Sequence, residues 1–304
     1  MGGHSSEREI SLRSGQAVAA ALSQAGHRVS AIDITAADKN KIAEQIRQAH
    51  IEIAFIALHG RLGEDGGIQT ILEEMDIPYT GSGVQASQKA FNKTITQRLL
   101  KAQGLAVPDH VSISDGQMLN FKDAFAGLKK LPFVVKAACE GSSIGIFMVQ
   151  HPSQWEAAIR DALKFGPYVI VEKFIKGREV TAGILERQAL PLVEIQARSA
   201  LFDFNSKYQK GLTAYVVPAQ LPPEVTKKIQ QSALAAYEAL GCEGFARVDI
   251  RLDDVLNPYI LEVNTIPGFT ETSLLPKAAK EAGHSFLDVC EKLLDLAYGK
   301  KVQR

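Results

Sequence analysis

Two segments near the C-terminus constrain this chain more than any other feature. In Ala246–Leu252 the residues Val248, Ile250 and Leu252 fall on one strand face and Arg247, Asp249 and Arg251 on the other, because strand side chains alternate. In Tyr259–Asn264 the same alternation separates Tyr259, Leu261 and Val263 from Ile260, Glu262 and Asn264. Aligning the two apolar faces predicts an antiparallel hairpin that turns at Asp254–Leu256 and sets Leu252 opposite Tyr259. Asp249 then faces Glu262, and Arg247 faces Asn264. Carboxylates directly opposite each other weaken a strand pair. A divalent cation reverses that effect, and Asp, Glu and Asn oxygens suit Mg²⁺ completed by phosphate oxygens. Asp249, Glu262 and Asn264 are therefore the expected metal ligands. Arg247 adds a fixed positive charge for a phosphate or a developing oxyanion. A solvated outer face would explain Arg247 and Arg251, but explains less well Glu262 and Asn264 running into Thr265-Ile266-Pro267-Gly268.

A second feature points to phosphate. Pro132–Lys136 reads as a buried strand ending in a lysine, followed by the small loop Ala137-Ala138-Cys139-Glu140-Gly141-Ser142-Ser143-Ile144-Gly145. Backbone N–H groups of such a loop can close on phosphate oxygens, with Lys136 as a point charge. The loop joins two strands, and GxxxxGK[ST] occurs nowhere in the chain, so this is not a P-loop. Taken alone, the stretch reads better as a hairpin turn with a surface lysine, since Gly/Ser turns are common. Gly81-Ser82-Gly83-Val84-Gln85-Ala86 matches GxGxxA, but the next acid, Asp109, follows Pro108 rather than ending a strand. It is expected to be a turn between domains.

Elsewhere the first third alternates helical and extended patterns: helices over 11–25, 39–49 and 67–75, strands over 29–34, 51–58 and 77–80. This predicts a parallel sheet with helices on both faces. From about residue 89 the order becomes mixed, and from Gly177 it reads as antiparallel sheet. The fold class expected is α/β followed by α+β, in domains 1–88, 89–174 and 175–304. Lys+Arg and Asp+Glu both number 34, which argues against a nucleic-acid partner. Cys139, Cys242 and Cys290 are odd in number and dispersed, which suits a reducing cytoplasm. No apolar run approaches the roughly 20 residues that span a bilayer. Met1–Ile10 is polar and lacks the apolar centre of a signal peptide. Met1-Gly2-Gly3-His4-Ser5-Ser6 fits a myristoylation pattern, for which the resemblance below offers a better account.

Together these stretches resemble the D-alanine–D-alanine ligases of the ATP-grasp superfamily. The similarity rests on Gly2–Leu12, Leu58-His59-Gly60-Arg61 with Gly63-Glu64-Asp65-Gly66, Pro78–Gly83, Glu140–Ser143, Lys207-Tyr208, Gly244–Asp249, Leu261–Thr265, and Pro267-Gly268 with Thr272–Pro276, all in family order. The resemblance implies a Rossmann-like N-terminal domain followed by a two-part ATP-grasp fold. It implies an ATP-dependent ligation of two D-alanines through a D-alanyl phosphate, in peptidoglycan precursor synthesis, by a cytoplasmic homodimer. Two Mg²⁺ ions, with Mn²⁺ as an alternative, would be held by Asp249, Glu262 and Asn264. Arg247 and the N–H of Gly268 would stabilise the oxyanion. Lys93, Lys136, Ser142 and Ser143 would hold phosphates, Glu172-Lys173-Phe174-Ile175 the adenine, Glu179 the ribose, with Lys207 also on the nucleotide side. Glu7 would bind the ammonium of the first D-alanine and form a trio with Ser142 and Tyr208. His59, Ser273 and Leu274 would lie on the substrate side. Read alone, Glu7 is better explained as a helix-start carboxylate, favourable with the helix dipole, and the resemblance reverses that preference. An acceptor other than D-alanine, such as D-lactate, is the alternative and turns on Tyr208, which sits in a polar stretch, Asp203–Gly211, long enough to act as a lid. Two departures stand out. Ala137 replaces the usual proline after Lys136. Family chains also open with a strand before the Gly-Gly loop, so Met1 is expected to end a strand whose remainder lies upstream, leaving unpaired edges in the parallel sheet.

Overall fold

The computed structural model describes residues 1–116, 119–142, 144–197 and 213–302. The N-terminal third contains α1 (Arg8–Gln24), α2 (Lys39–Gln48), α3 (Gly67–Glu74) and α4 (Val84–Phe91). Its apolar core joins Ile42 and Ile46 of α2, Ile68, Ile71 and Leu72 of α3, and Ile34, Ile56 and Leu58. The three extended runs expected here form no ladder. They are tied only by single parallel bridges, Gly2 to Ile34 and Ala54 to Tyr79. Met1, Gly2 and Gly3 follow Ile32–Ile34, with the Gly3 N–H donating to the Ile34 carbonyl and the Ile34 N–H to the Met1 carbonyl. Beyond Met1 the space between 29–34 and 51–58 is a cavity of about 350 Å³ lined by Val29, Ile32, Ile53 and Phe55. No strand ladder forms between those two runs among the described residues. The amino terminus sits at the end of this cavity, where burial pushes its ammonium down to about 6.

The next unit begins with α5 (Lys93–Ala102), continues through β1 (His110–Ser114), α6 (Phe121–Leu128), β2 (Phe133–Ala137), β3 (Ile146–Val149) and α7 (Trp155–Leu163), and ends at β4 (Tyr168–Lys173). The four strands form an antiparallel sheet in the order β1-β4-β2-β3. Trp155 and Phe133 close one face of it. A second antiparallel sheet follows: β5 (Arg178–Leu185), β6 (Gln188–Ala189), β7 (Val193–Ala197), β8 (Thr213–Val216), β9 (Phe245–Leu252) and β10 (Pro258–Asn264), in the order β10-β9-β5-β7-β8 with β6 beside β5. The helix Pro223–Leu240 buries Ile229, Ala233, Ala236 and Tyr237 against this sheet. Leu100 of α5 lies in the same core, so α5 packs on the second sheet although it precedes the first. Helices Leu274–Glu281 and Phe286–Val302 pack with Val18 and Leu22 of α1, joining the two ends of the chain.

Two expectations need correction. The Gly81–Ala86 stretch is more than a turn, because Gly83 opens α4. The apolar face assigned to the last strand is also wrong. Leu252 pairs with Pro258, not Tyr259, and a bulge at Leu261 shifts the register before Glu262 pairs with Asp249 and Asn264 with Arg247. The bulge turns Ile260 and Val263 into the core, at 1% and 3% exposure, and leaves Tyr259, Glu262 and Asn264 on the opposite face. Gln97 of α5 donates to the carbonyls of Ile260 and Leu261, satisfying backbone groups that a regular ladder would have paired.

Candidate active site

Glu7 occupies the N-cap position of α1, but its side chain makes no capping hydrogen bond. It is nearly buried and accepts a hydrogen bond from the Ser142 hydroxyl across a sequence gap of 135 residues. The helix-start explanation therefore does not account for this carboxylate. The loop meets it because residue 141 is glycine: a Cβ there would collide with a Glu7 carboxylate oxygen. Ser142 itself has φ of 50°, a left-handed conformation uncommon for a residue with a side chain. Burial, and then the charge of Glu64, push the Glu7 carboxyl up to about 7 against the opposing pull of Ser142, His59 and Lys93.

Across the cavity stands the face of β9 and β10. Asp249 and Glu262 are register partners as expected, yet cations already offset their repulsion. Arg247 grips both Asp249 oxygens, Nε and Nη2 each at 2.8 Å, and Thr181 donates to the same carboxylate at 2.7 Å. Lys93 Nζ lies 3.1 Å from Glu262 and donates to the Glu140 carbonyl at 2.6 Å. Burial opposes the Lys93 charge, but Glu262, Glu172 and Glu64 outweigh it and hold the ammonium above its usual value. Arg247 and Lys93 thus each offset one of the two opposed carboxylates. Among the described residues no three His, Cys, Asp or Glu side chains converge as a closed metal cage. Two opposed carboxylates with the Asn264 amide on the same face still form an oxygen donor set that suits a hard cation completed by phosphate. The Asn264 oxygen now accepts from the Ile266 N–H at 3.0 Å.

The cleft between the two sheets, about 100 Å³, opens beside this face and is lined by Lys136, Glu172, Lys173, Ile175 and Glu179. Lys136 Nζ donates to Glu172 at 2.6 Å, with both side chains buried. Arg251, which the sequence leaves as a surface cation, donates to Glu179 at 3.1 Å and covers the Phe174 ring at 5.1 Å. Its position on the Arg247–Asp249 face was legible in the alternation; its partners were not.

A larger cavity of about 650 Å³ joins the two ends, with Glu7, His59 and Ser142 on one side and Arg247, Asp249, Glu262, Asn264 and Gly268 on the other. Ser273 and Leu274 line it at the start of the helix Leu274–Glu281, and Ser273 Oγ accepts from the Thr270 N–H at 3.0 Å. The Gly268 N–H makes no hydrogen bond to the described residues. His59 lines the cavity with both ring nitrogens engaged, 3.0 Å from Ser14 Oγ and 2.8 Å from the Ile266 carbonyl. Lys277, stacked on Tyr215, also faces this space and had no signal in the sequence. Ser143, Lys207 and Tyr208 lie outside the described residues.

This geometry can be set beside known proteins. A family model described as D-ala D-ala ligase C-terminus matches residues 99–295, and one described as D-ala D-ala ligase N-terminus matches residues 35–82. A D-alanine–D-alanine ligase of Desulforudis audaxviator is 48% identical, covering 98% of this chain and 96% of that one. One of Carboxydothermus hydrogenoformans is 46% identical, over 97% and 96%. The crystal structure of the Bacillus anthracis D-alanine–D-alanine ligase superposes with a TM-score of 0.88 at 33% identity, covering 100% of this chain and 97% of that one. The same protein complexed with ATP gives 0.86 at 31% identity over the same shares. On the sequence match, the two antiparallel sheets around a shared cleft and the full-length superposition, the chain belongs to the D-alanine–D-alanine ligase family and has its ATP-grasp fold.

Proposed function

We propose that the chain joins two D-alanines into D-alanyl-D-alanine, consuming ATP and passing through a D-alanyl phosphate. The observation that carries this reading is the single cavity in which the buried Glu7 carboxylate faces Arg247 and Gly268, next to an intersheet cleft containing Lys136. Glu7 binds the ammonium of the first D-alanine, and the arriving positive charge favours the ionised carboxylate that burial disfavours. ATP lies in the cleft, its adenine against Glu172-Lys173-Phe174-Ile175, its ribose at Glu179, its phosphates at Lys93 and Lys136. Mg²⁺ ions, two in this reading and replaceable by Mn²⁺, would be held by Asp249, Glu262 and Asn264 and would neutralise phosphate charge.

A carboxylate oxygen of the first D-alanine attacks the γ-phosphorus, the bond to the bridging oxygen breaks, and ADP leaves. The neutral amine of the second D-alanine attacks the acyl carbon and gives up a proton that leaves with the phosphate. Arg247 and the Gly268 N–H stabilise the oxyanion, which collapses as phosphate departs and the amide forms. Ser273 and Leu274 border the acceptor. Ser143, Lys207 and Tyr208 would complete the phosphate grip and lid. The relatives are named for D-alanine, which favours D-alanine over D-lactate as acceptor. A cytoplasmic homodimer accompanies this reading. No helix among the described residues is long and apolar enough to cross a membrane.

The test is ADP release with ATP, Mg²⁺ and a panel of D- and L-amino acids and D-lactate, with the product identified by mass. D-alanine should stimulate ADP formation and yield the dipeptide. A chain that releases no ADP in response to D-alanine refutes the reading.

A further inference from the structure

The loop carrying Gly268 is held from both sides by a buried polar chain that none of the ligand-facing residues explains. The Ile266 carbonyl is an acceptor only, so His59 must meet it, at 2.8 Å, with its Nδ1–H. The other ring nitrogen, Nε2, is hydrogen-bonded to Ser14 Oγ at 3.0 Å. The same hydroxyl oxygen accepts from the Phe269 N–H at 3.1 Å. Glu64 Oε1 lies 3.5 Å from the same His59 Nδ1. Ser14 is fully buried and His59 is 3% exposed. The two backbone anchors, Ile266 O and Phe269 N, bracket Pro267 and Gly268.

Ser14 sits seven residues after Glu7 along the helical face formed by α1, two turns further on. The same face is pinned by Ser11, whose hydroxyl donates to the Ala57 carbonyl at 2.6 Å. One helix therefore connects the carboxylate at the donor end of the cavity to the loop at the other end. Phe269 is locked independently by Phe55, Phe245 and Phe286, each ring centroid 5.5 Å from its own. Removing the Ser14 hydroxyl thus leaves the loop attached, but free to shift by the length of a lost hydrogen bond.

We infer that Ser14, acting through His59 and the Phe269 N–H, is a positioning residue that sets the Gly268 N–H at hydrogen-bond distance from the oxygen that becomes the tetrahedral oxyanion. This rests on the ligase reading above. A donor aimed at an oxyanion helps only when it is in place before charge develops, and displacement by about 1 Å costs about a hundredfold in rate.

The experiment compares wild type, Ser14→Ala and Ser14→Thr. In Ser14→Ala, kcat should fall about ten- to a hundredfold while KM for ATP and for the first D-alanine stays within about twofold, because the loss appears only in the transition state. Affinity for a tetrahedral phosphinate analogue of the dipeptide should fall by the same factor as kcat. Ser14→Thr keeps the hydroxyl and should recover kcat to within about threefold of wild type. An active wild type with unchanged kcat in Ser14→Ala overturns the inference. So does a loss confined to KM, or an analogue affinity that does not follow kcat. Should Ser14→Ala fail to fold, a Ser14→Thr enzyme with kcat reduced as far as the range given for alanine overturns it as well. A wild type without D-alanine-dependent ADP release refutes the ligase reading instead.

Discussion

Replacing Glu7 by glutamine separates the cost of this carboxyl to folding from its use to the enzyme. Its ordinary value is 4.5, and burial with the nearby Glu64 charge lifts it to about 7 in the folded chain. Between those values the folded state holds a proton that the unfolded state has released. Stability therefore falls as pH rises through that window, and is level below and above it. At 1.36 kcal/mol per tenfold change, the full displacement corresponds to about 3 kcal/mol. Glutamine has the same shape, stays neutral throughout, and its oxygen can still accept from Ser142. The ligand-free Glu7→Gln protein should thus match wild type near pH 4.5 and exceed it by up to about 3 kcal/mol at pH 8, a rise in Tm on the order of 5 °C. Thermal melts of both proteins at pH 5 and pH 8 read this directly. The same variant should lose D-alanine-dependent ADP release, since an amide cannot neutralise the substrate ammonium. A Tm difference that does not grow between pH 5 and pH 8 refutes the reasoning, because the carboxyl would then be ionised at little cost.

Two further outcomes follow from the same contacts. Glu262→Gln should abolish turnover and, by leaving Lys93 with less compensation, lower ligand-free stability by about 1–2 kcal/mol; retained ligase activity would refute the metal-ligand role. Lys136→Met strands the buried Glu172 carboxylate, so urea unfolding should show a loss of about 3–5 kcal/mol and the KM for ATP should rise; an unchanged midpoint would refute the buried pair.

Much of the site was legible because its chemistry is written in alternation. Arg247, Asp249, Glu262 and Asn264 meet at the predicted register, but they reach it by two offsets that cancel. The turn is one residue tighter than aligned faces suggest, and the bulge at Leu261 restores the count. Nothing in the sequence marks Leu261 as the extra residue, because a leucine suits either face of a strand. What accommodates it is Gln97, a buried amide 163 residues from Ile260 that donates to the bulge carbonyls as well as to Glu172. Helix α4 was missed for a different reason: Val84–Phe91 carries few large apolar residues, and its three buried positions are Ala86, Ser87 and Ala90. Periodicity reads apolar bulk, and small residues bury without it.

Side-chain cations lie against both opposed carboxylates of the hairpin. Opposed carboxylates need compensation, and a cation of any kind supplies it. The sequence placed Arg247 two positions from Asp249 on the same face, so side-chain compensation was available before any metal was invoked. Lys93 was harder to place, since it reaches Glu262 from the first turn of α5 and no strand pattern connects the two. The same two cations are the ones assigned to substrate charge: Arg247 to the oxyanion, Lys93 to phosphate. A site that pairs its anions with the cations it will later use holds those cations in place without ligand, and it presents phosphate and metal with groups whose charges are already balanced. Binding then exchanges one set of ion pairs for another instead of burying new net charge, and the desolvation cost that makes isolated buried charges so unfavourable is met once, on folding.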